Sequence, residues 1–419
     1  MGPTNSTNRK QRVCFYFGGR EGGGVARCTL QMLAGLPSDR YEIIPLSCED
    51  GPFTKQVRDA GFSCEVLDTG WPPVLSRLTR RGARATWSAY LGVPRWLVSN
   101  VRRLTSYLIE RDIDLVHTNY YHFHAVAGLA CKRAKRKCIW HWHGLLPVGD
   151  RGTPGTGAHD SDWRWRLVAR LVPRLRRMTG NFIWSIANSE ATADSVRLAV
   201  GDRMTLVYNG VSIAPPPAQR DRLRDLVKLG SDAILVGVIG SLVPIKGHRL
   251  VLEAAAKLCT RIPNLHFVFI GGQTPAGEQE YVDTLMEFRA KHKLDSRVHL
   301  LGHRSDAAHL VADLDMLVVA TLPPGEGFGL VVTEAMAQKV PVIASRVGAV
   351  GEIITHGQSG LLFTPRDVNS LAGAIDDLAA NPSRRKQLGE SGYEVCCRRF
   401  ELSRMFREIR DVYDRVLAM

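Results

Sequence analysis

Short apolar runs alternate with stretches in which apolar residues recur at helical spacing, and this alternation continues along the 419 residues. The runs have the length and β-branched composition of buried strands, and the stretches between them fit amphipathic helices. In the first half the predicted strands are 13–17, 42–46, 64–67, 115–118, 138–143, 182–187 and 205–208. Repeated units of this kind predict an α/β fold of parallel sheets with helices on both faces.

The alternation starts again in the second half, which predicts a second doubly wound sheet. Its predicted strands are 234–239, 266–270, 298–301, 316–319, 342–344 and 360–363, and the chain ends in the helical patterns 383–387 and 403–416. The consecutive prolines 215–217 cannot continue a ladder and predict a stiff connector between the halves. We therefore divide the chain into domains 1–212 and 213–399, followed by a terminal helix, 400–419.

Composition excludes several classes of protein. No apolar run is long enough to span a membrane, and residues 1–11 lack the apolar stretch of a signal peptide, so we expect a cytoplasmic protein. The start Met1–Ser6 formally fits a myristoylation pattern, but Pro3 makes a short polar tail the simpler interpretation. The nine cysteines show neither C-x-x-C pairs nor metal-ligand spacing, so we expect reduced, mostly buried thiols and no metal.

Positive charge is concentrated in the first half. Residues 1–212 hold 30 Lys plus Arg against 17 Asp plus Glu, which accounts for +13 of the net +14. Its basic clusters are Arg77, Arg80, Arg81, Arg84; Lys132, Arg133, Lys135, Arg136, Lys137; and Arg164, Arg166, Arg170, Arg174, Arg176, Arg177, interleaved with Trp71, Trp87, Trp96, Trp163 and Trp165. Such stretches attract anionic membrane surfaces, and a solvated helix face is the alternative. No nucleic-acid module accompanies the charge, so we expect no nucleic-acid partner.

A glycine-rich loop, 18–24, follows the first predicted strand and precedes a helix, the position of a ligand-binding loop in a doubly wound sheet. It fits neither a dinucleotide fingerprint, because Arg27 stands at the last glycine position, nor a P-loop. A loop whose backbone approaches a ligand across a domain cleft is the better interpretation, and a sharp structural turn is the alternative.

Histidines end two consecutive predicted strands of the first half. His117 and His143 should therefore lie at the carboxyl edge of the first sheet, where such folds bind ligands. His143 could donate a hydrogen bond to a sugar hydroxyl or stabilise positive charge in a transition state, and a histidine satisfied within the sheet edge is the alternative. His122 and His124 are expected near a loop or helix start, and no carboxylate or cysteine completes a zinc site.

In the second half, polar residues and glycines follow several predicted strands. Glu326 and Glu334 flank a glycine turn that leads into a helical run, where free amides and the helix dipole attract anions. Two carboxylates beside a diphosphate are favourable only if they bind hydroxyls, and a nucleotide sugar supplies both ribose and hexose diols. Lys246, in the turn after strand 234–239, is placed to neutralise a diphosphate. The turns Gly271–Gly272 and Gly302–His303 lie on the same edge.

These residues resemble the retaining nucleotide-sugar enzymes of glycosyltransferase family 4. The similarity covers nearly the whole chain, and its most specific elements are the pair Glu326 and Glu334 and the segment 341–345. It implies a GT-B fold, with two Rossmann-like domains facing a deep cleft and a C-terminal helix that returns to the N-terminal domain.

The resemblance also implies roles for individual residues. Glu326 would contact the donor hexose, Glu334 the ribose diol and Lys246 the departing diphosphate, and His143 matches the N-domain histidine that faces the sugar. Expected catalytic residues are His143, Lys246 and Glu326; expected donor contacts are Gly18, Gly19, Gly240, Ser241, Lys246, Gly302, His303, Glu326, Gly327, Phe328, Gly329, Leu330 and Glu334; expected acceptor contacts are Gly22, Gly23 and His117. The family commonly has Arg where this chain has Ser241, and Arg20 and Arg346 are the candidates to replace that cation.

The implied reaction is metal-independent transfer of a hexose from a UDP- or GDP-sugar, with retention, to an acceptor hydroxyl. We expect the basic first domain to bind a saccharide or lipid-linked saccharide, in envelope, capsule or exopolysaccharide synthesis, and to approach the inner face of the cytoplasmic membrane. A GT-B nucleotide-sugar epimerase and a non-catalytic nucleotide-binding partner subunit are the two alternatives.

Overall fold

The computed structural model describes residues 9–70, 87–146, 172–174, 176–213, 222–272 and 279–419. Within these ranges the strands form two sheets, of seven and six strands, and every pairing is parallel. The first sheet contains β1 (Gln11–Phe17), β2 (Tyr41–Ser47), β3 (Glu65–Val66), β4 (Leu115–Thr118), β5 (Lys137–Trp142), β6 (Ile183–Ala187) and β7 (Met204–Leu206). The second contains β8 (Ile234–Ile239), β9 (Leu265–Ile270), β10 (Val298–Leu300), β11 (Met316–Val319), β12 (Val342–Ser345) and β13 (Leu361–Phe363).

Helices connect these strands as the βαβ pattern predicts. In the first half they are α1 (Gly23–Gly35), α2 (Pro52–Asp59), α3 (Trp87–Glu110), α4 (Tyr121–Ala134) and α5 (Glu190–Val200). In the second half they are α6 (Arg222–Val227), α7 (His248–Leu258), α8 (Gln279–Lys291), α9 (Ala307–Leu310), α10 (Leu330–Ala337), α11 (Val350–Ile353), α12 (Val368–Ala380), α13 (Pro382–Arg399) and α14 (Leu402–Leu417). Among the described residues, no helix is both long and apolar enough to cross a membrane.

Strand order gives each sheet a point at which the chain reverses its direction of winding. The order is β3-β2-β1-β4-β5-β6-β7 in the first sheet and β10-β9-β8-β11-β12-β13 in the second. The reversal falls between β1 and β4 in the first and between β8 and β11 in the second. Ligands of doubly wound sheets bind beyond the carboxyl ends of the strands at such points.

Both sheets are covered on both faces by apolar side chains, as the predicted α/β class with two doubly wound domains requires. In the second sheet, Phe267 and Phe269 face one hydrophobic cluster while Val268 and Ile270 face the other, which is the two-residue period of a strand buried on both sides. Burial of this apolar surface, at roughly 25 cal/mol per Å², is the main stabilising contribution to each domain.

The C-terminal helix α14 returns to the first domain, as the resemblance implies. Its buried residues Met405, Ile409 and Tyr413 belong to the hydrophobic cluster that also contains Val13 and Phe15 of β1. Their spacing of four residues places them on one face of the helix. The helix therefore closes the N-terminal core while its sequence follows the second domain.

Two backbone segments cross between the domains side by side. The amide of Val211 donates to the carbonyl of Phe400 at 2.8 Å, and the amide of Leu402 donates to the carbonyl of Val211 at 3.0 Å. A Cβ added to Gly210 would lie 2.6 Å from Cα of Leu402, so the two crossing segments are in direct contact. The prolines 215–217 of the predicted connector lie outside the described residues.

One terminal helix is longer than its sequence pattern predicts. The pattern 383–387 is only the start of α13, which continues to Arg399 through Gly389 and Gly392. A Cβ at Gly389 would lie 2.1 Å from the carbonyl oxygen of Lys339, so glycine permits a close approach of the helix at this point. The glycines that interrupt the helical pattern are therefore a packing requirement.

Candidate functional site

The turns after β8, β9 and β10 lie side by side at the carboxyl edge of the second sheet. The amide of Gly271 donates to the carbonyl of Gly302 at 2.9 Å, and the amide of Leu242 donates to the carbonyl of Gly272 at 3.0 Å. A Cβ at Gly271 would lie 1.8 Å from the carbonyl oxygen of Gly240, so the turns touch through backbone alone. Ser241, Gly302 and His303 are exposed on this edge, which is therefore open to a ligand.

The loops at the switch point of the second sheet are also joined. The amide of Leu322, after β11, donates to the carbonyl of Ile245, after β8, at 2.7 Å. This brings the turn that carries Lys246 against the loop that carries Glu326. The loop between β11 and α10 also packs against Gly348. A Cβ added to Gly348 would lie 2.4 Å from the carbonyl oxygen of Glu326.

Helix α10 begins at the glycine turn between the two carboxylates. Gly329 precedes the helix with φ of 94° and ψ of 58°, a left-handed conformation that glycine adopts without strain. The first amides of a helix have no intrahelical acceptor, so those at the start of α10 can bind an anion. Glu334 lies one turn further along the helix, about 6 Å at 1.5 Å per residue.

Glu326 holds Lys246 at the switch point. The Nζ atom of Lys246 lies 2.7 Å from Oε1 of Glu326, and the hydroxyl of Thr321 donates to the same oxygen at 2.7 Å. Both partners of the pair are partly exposed, at 31% for the lysine and 17% for the glutamate, so a ligand can reach both. The pair thus offers a cation for phosphate and a carboxylate for hydroxyls at one position.

Glu334 pairs with a cation from the other domain. Its Oε1 atom accepts a hydrogen bond from Nη1 of Arg27, which projects from α1 of the first sheet. The same helices also meet one turn earlier, where a Cβ at Gly24 would lie 3.1 Å from the Leu330 side chain. Arg27 is not among the residues predicted from the sequence, although its place one turn into the helix after the glycine loop could have indicated it.

Direct backbone contact across the cleft occurs at Gly327. A Cβ at this position would lie 2.6 Å from the carbonyl oxygen of His143 and 2.7 Å from Cα of Gly144. The hydroxyl of Thr192, in α5, donates to the carbonyl of Gly327 at 3.2 Å. The predicted donor turn therefore lies directly against the end of β5 in the first sheet.

A second interdomain contact caps helix α5. The carboxylate of Glu352, in α11, accepts from the amides of Glu190 and Ala191 at 2.8 Å each. A carboxylate at a helix N-terminus satisfies unpaired amides and interacts favourably with the helix dipole. Glu352 therefore helps to hold the two domains in this arrangement.

His143 directly follows β5, at the carboxyl edge of the first sheet. Its Nε2 atom lies 3.3 Å from Oδ1 of Asn119, whose amide nitrogen donates to the hydroxyl of Thr29 at 2.7 Å. Burial lowers the pKa of His143 to about 3, so the ring is neutral near neutral pH. Asn119 follows β4 directly, and the rule that selected His117 could also have indicated it.

His117 does not reach the cleft, which corrects the expectation that it contacts the acceptor. Its side chain is fully buried, its Nδ1 lies 2.6 Å from the hydroxyl of Tyr413, and its Nε2 lies 3.1 Å from Nδ1 of His141. Burial lowers its pKa to about 3. The strand does end at the predicted edge, but its alternation turns this side chain towards α14, a contact of high sequence separation that no local pattern shows.

The first two glycines of the loop after β1 are held by hydrogen bonds within the first domain. Gly18 and Gly19 are buried; the Gly18 amide donates to Glu21 at 2.8 Å, and the Gly19 carbonyl accepts from the Phe53 amide at 2.8 Å. These bonds fix the start of the loop, and the predicted donor contact of the two glycines stays a prediction. Gly22 and Gly23 are exposed at the start of α1, so their predicted acceptor contact stays a prediction.

Phe328 contributes its backbone, not its ring, to the donor turn. The side chain is buried against Tyr208 and Phe400, with ring centroids 6.2 and 5.6 Å away. This packing anchors the turn in the core of the second domain. Its role in holding a diphosphate, if the resemblance is followed, would fall to the amides of the turn.

The structure also locates Arg20, His124 and the cysteines, which the sequence singled out. Arg20 pairs with Glu49 at 2.7 Å within the first domain, so it is not held at the diphosphate site. His124 lies in the first turn of α4, as expected, and its ring is stacked on Trp140 at 5.3 Å. Seven of the nine cysteines are buried, as predicted. Among the described residues, no group of three or more His, Cys, Asp or Glu is arranged to bind a metal.

The predicted basic surface is described only in part. Residues Arg77, Arg80, Arg81, Arg84, Arg164, Arg166, Arg170, Trp71, Trp163 and Trp165 lie outside the described residues. Helix α3 packs beside α4 and carries exposed Arg102, Arg103 and Val98. The basic cluster 132–137 begins in the last turn of α4, where Lys132, Arg133 and Lys135 are exposed.

Comparison with known proteins matches both halves of the chain to sugar-transfer families. The profile described as "Glycosyltransferase Family 4" matches residues 22–214, and the profile "Glycosyl transferases group 1" matches residues 219–395. A GDP-mannose-dependent alpha-(1-6)-phosphatidylinositol monomannoside mannosyltransferase of Mycolicibacterium smegmatis is 30% identical over 310 residues, 71% of this chain and 74% of the relative. The D-inositol 3-phosphate glycosyltransferase 2 of Catenulispora acidiphila is 28% identical over 328 residues, covering 72% and 70% of the two chains.

Solved structures share the fold over almost the entire length. Anabaena HepE in complex with UDP and glucose has a TM-score of 0.77 at 23% identity, with 96% of this chain and 99% of that chain covered. A glycosyltransferase from Rickettsia africae has a TM-score of 0.78 at 18% identity, with 97% and 99% covered. At these identities the similarity concerns the two-domain architecture.

Proposed function

The chain belongs to glycosyltransferase family 4, and on that basis we propose that it transfers a hexose-type sugar, with retention, from a UDP- or GDP-sugar to an acceptor hydroxyl. The observation that supports this best is the pair Lys246 and Glu326 beside the start of α10, directly opposite His143. Residues 1–212 would bind the acceptor and residues 213–399 the donor, in the synthesis of an envelope, capsule or exopolysaccharide glycan.

The donor would replace two ion pairs within the protein by contacts with its own groups. Lys246 and Arg27 now pair with Glu326 and Glu334, the carboxylates assigned to the hexose and the ribose diol. Hydroxyls of the nucleotide sugar would donate hydrogen bonds to the two carboxylates, and the diphosphate would bind Lys246 and the amides at the start of α10. Gly240, Ser241, Gly302 and His303 would line the nucleotide side of this site.

Charge develops on the diphosphate as the glycosidic bond breaks. A cation and preorganised amides stabilise that charge without reorganisation, which is the contribution a bound metal makes in other enzymes. We therefore propose a metal-independent reaction. The acceptor hydroxyl would attack from the face that the diphosphate leaves, with no covalent intermediate, and the diphosphate would accept its proton.

Domain closure completes the site in this proposal. The contact of Gly327 with His143 and Gly144 brings the donor turn against the first domain, and the carboxylate of Glu352 caps α5 across the same cleft. Closure of two domains excludes water and aligns the reacting groups. The segments that cross between the domains at Val211 and Phe400, which are hydrogen-bonded to each other, would be the hinge of this closure.

We further propose that the first domain approaches an anionic membrane surface. Exposed Arg102, Arg103 and Val98 lie on α3, beside the helix that ends in the basic cluster 132–137. Each basic residue near an anionic surface contributes about 1 kcal/mol. Flotation with anionic and neutral liposomes tests this proposal: equal recovery with both, unchanged by Arg102→Glu with Arg103→Glu, would contradict it.

The experiment that tests the proposed function is a donor screen. UDP- and GDP-hexoses are incubated with the protein, with and without a membrane extract as acceptor, and nucleotide release and glycosylated product are measured. We expect acceptor-dependent release that Lys246→Ala lowers at least about tenfold, while the control Lys257→Ala, an exposed lysine on α7, does not. An altered nucleotide sugar without acceptor would instead identify an epimerase, and no turnover of any donor would favour a non-catalytic subunit.

A further inference from the structure

Two cations pair with the carboxylates that flank the glycine turn before α10. Lys246 bonds Glu326, which precedes the turn, and Arg27 of the first domain bonds Glu334, which follows it. In the proposed reaction the lysine binds the diphosphate, whereas the arginine loses its partner to the ribose and has no ligand of its own. A diphosphate carries two charged phosphate groups, so a second cation at this site has a chemical use.

The first turns of α1 and α10 face each other across the cleft. A Cβ added to Gly24 would lie 3.1 Å from the Leu330 side chain. These two residues precede Arg27 and Glu334 by three and four positions, a spacing that places each pair on one face of its helix. Helical side chains also lean towards the N-terminus. The guanidinium of Arg27 therefore lies near the start of both helices, where free amides attract an anion.

The guanidinium of Arg27 has the geometry to bind a phosphate. Its bond to Glu334 uses Nη1, whereas a guanidinium has five N–H donors in one plane. This planar fork can bind two oxygens of a phosphate at once, which the ammonium group of a lysine cannot do in the same fixed geometry. Arg27 can thus add directional hydrogen bonds to the point charge that Lys246 supplies.

The ion pair of Arg27 and Glu334 is accessible and can be exchanged for a ligand. The side chain of Arg27 is 49% exposed and that of Glu334 is 17% exposed. Because water solvates a pair at such exposure, the pair contributes little to stability. Arg304, by contrast, bonds both oxygens of Asp306 within its own domain, at 2.8 Å each. Arg304 is therefore held by its partner, whereas Arg27 is available to a donor.

We propose that Arg27 is a donor-binding residue that the first domain supplies: its guanidinium binds the diphosphate while the ribose diol takes its place on Glu334. This assignment rests on the proposed function, which identifies the donor as a nucleotide sugar. Because α1 belongs to the first domain, the second cation reaches the diphosphate only when the two domains are together. Departure of the diphosphate is then promoted in the closed arrangement, from which water is excluded.

Calorimetry of nucleotide binding tests this contact without turnover. UDP, GDP, uridine and guanosine are titrated into the full-length wild type, Arg27→Ala and Arg27→Lys. Arg27→Ala should weaken binding of the nucleoside diphosphate about tenfold, the effect of losing a charge-assisted hydrogen bond, and change binding of the nucleoside less than about twofold. Arg27→Lys should recover part of the loss, because it keeps the charge without the planar fork. Equal losses for both ligands, or no loss for either, would overturn the proposal.

Arg40→Ala is the matched control for the removal of one positive charge. Arg40 is 47% exposed and pairs with Asp414 at 2.8 Å, again a carboxylate distant in sequence. It directly precedes β2, at the amino edge of the first sheet, and so lies at the opposite edge from the donor turn. Its replacement should leave the affinity for the nucleoside diphosphate unchanged. A loss equal to that of Arg27→Ala would mean a general effect of net charge and would overturn the proposal.

A double-mutant cycle separates a direct contact from an effect transmitted by Glu334. In the Glu334→Gln background Arg27 has no carboxylate to pair with at this position, so a residue that only positioned Glu334 would lose its influence. We expect Arg27→Ala to weaken binding of the nucleoside diphosphate about tenfold in this background too. The absence of any further loss would overturn the proposal.

Binding and transfer are separate measurements, so failure of the two proposals can be told apart. Arg27-dependent binding of a nucleoside diphosphate by a protein that transfers no sugar would refute the proposed transfer and support the role of Arg27. Acceptor-dependent transfer with an affinity for the diphosphate that Arg27→Ala leaves unchanged would overturn the role of Arg27 and leave the proposed function in place.

Discussion

Replacement of Gly327 by alanine should impair catalysis while leaving each domain folded. The added Cβ would lie 2.6 Å from the carbonyl oxygen of His143, whereas ordinary van der Waals contact begins at 3.4 Å. The loop that carries Gly327 and the loop that carries His143 must therefore move apart by nearly the difference between these two distances. The three nearest atoms that the methyl group meets all belong to the backbone of His143 and Gly144 in the other domain, which cannot rotate away as a side chain could. Gly327 does not have a positive φ, so alanine fits its own backbone conformation.

A separation of this size is large for an enzyme that assembles its site from two domains. A misplacement of about 1 Å can cost on the order of a hundredfold in rate, and we expect a loss of this order in kcat/KM for Gly327→Ala. Binding of the free nucleoside diphosphate should change little, because the donor turn and α10 stay intact within the second domain. The melting temperature should also stay close to that of the wild type.

The assay compares transfer rate, nucleotide binding and thermal unfolding for Gly327→Ala with those for Gly144→Ala. Gly144 is the matched control, because its Cα takes part in the same contact but its own added Cβ would meet nothing within 4 Å. A Gly327→Ala enzyme with nearly wild-type kcat/KM would refute the conclusion that the contact at Gly327 forms the active arrangement.

Three further predictions concern charge. Glu334→Gln should lower turnover at least about tenfold, a loss of about 1.4 kcal/mol of transition-state stabilisation, and unchanged kinetics in both this variant and Lys246→Ala would refute the donor assignment. Ser241→Arg should tighten binding of a nucleoside diphosphate but not of the nucleoside, as measured by calorimetry, because the added cation faces phosphate only. Burial raises the pKa of Glu21 to about 8, so the folded protein keeps the proton on this carboxyl up to that pH. The unfolded chain releases the same proton near the ordinary pKa of glutamate. The free energy of unfolding therefore falls as the pH rises from the ordinary pKa to about 8. Glu21→Gln should remove that loss and raise Tm at pH 8 more than at pH 5; an equal shift at both would contradict the assigned pKa.

The fold was predictable because its signals are local. Each strand run in the printed sequence is a short apolar segment bounded by glycine, proline or polar residues, and the buried parallel strands such as β8 and β9 need no partner to be recognised. The carboxyl-edge rule then placed His143, Lys246 and the two glutamates without any knowledge of strand order. The longer extent of α13 was missed because its glycines break the helical pattern.

The parts of the site that escaped prediction depend on contacts between distant segments. His117 has the right position in its strand, yet its side chain meets Tyr413, almost three hundred residues later. Arg27 and Glu352 acquire their roles only when the second domain lies against the first. Sequence periodicity indicates which face of an element is buried, but it does not indicate which element covers that face.

The anomeric configuration of the product decides whether this chain transfers a sugar with retention. The wild-type protein is incubated with the α-linked UDP- or GDP-hexose selected in the donor screen and its acceptor, and the new linkage is assigned by proton NMR from the coupling and shift of the anomeric proton. We expect an α-linked product that forms only when acceptor is present. A β-linked product would contradict the proposed retention, and an altered nucleotide sugar formed without acceptor would contradict the proposed transfer itself.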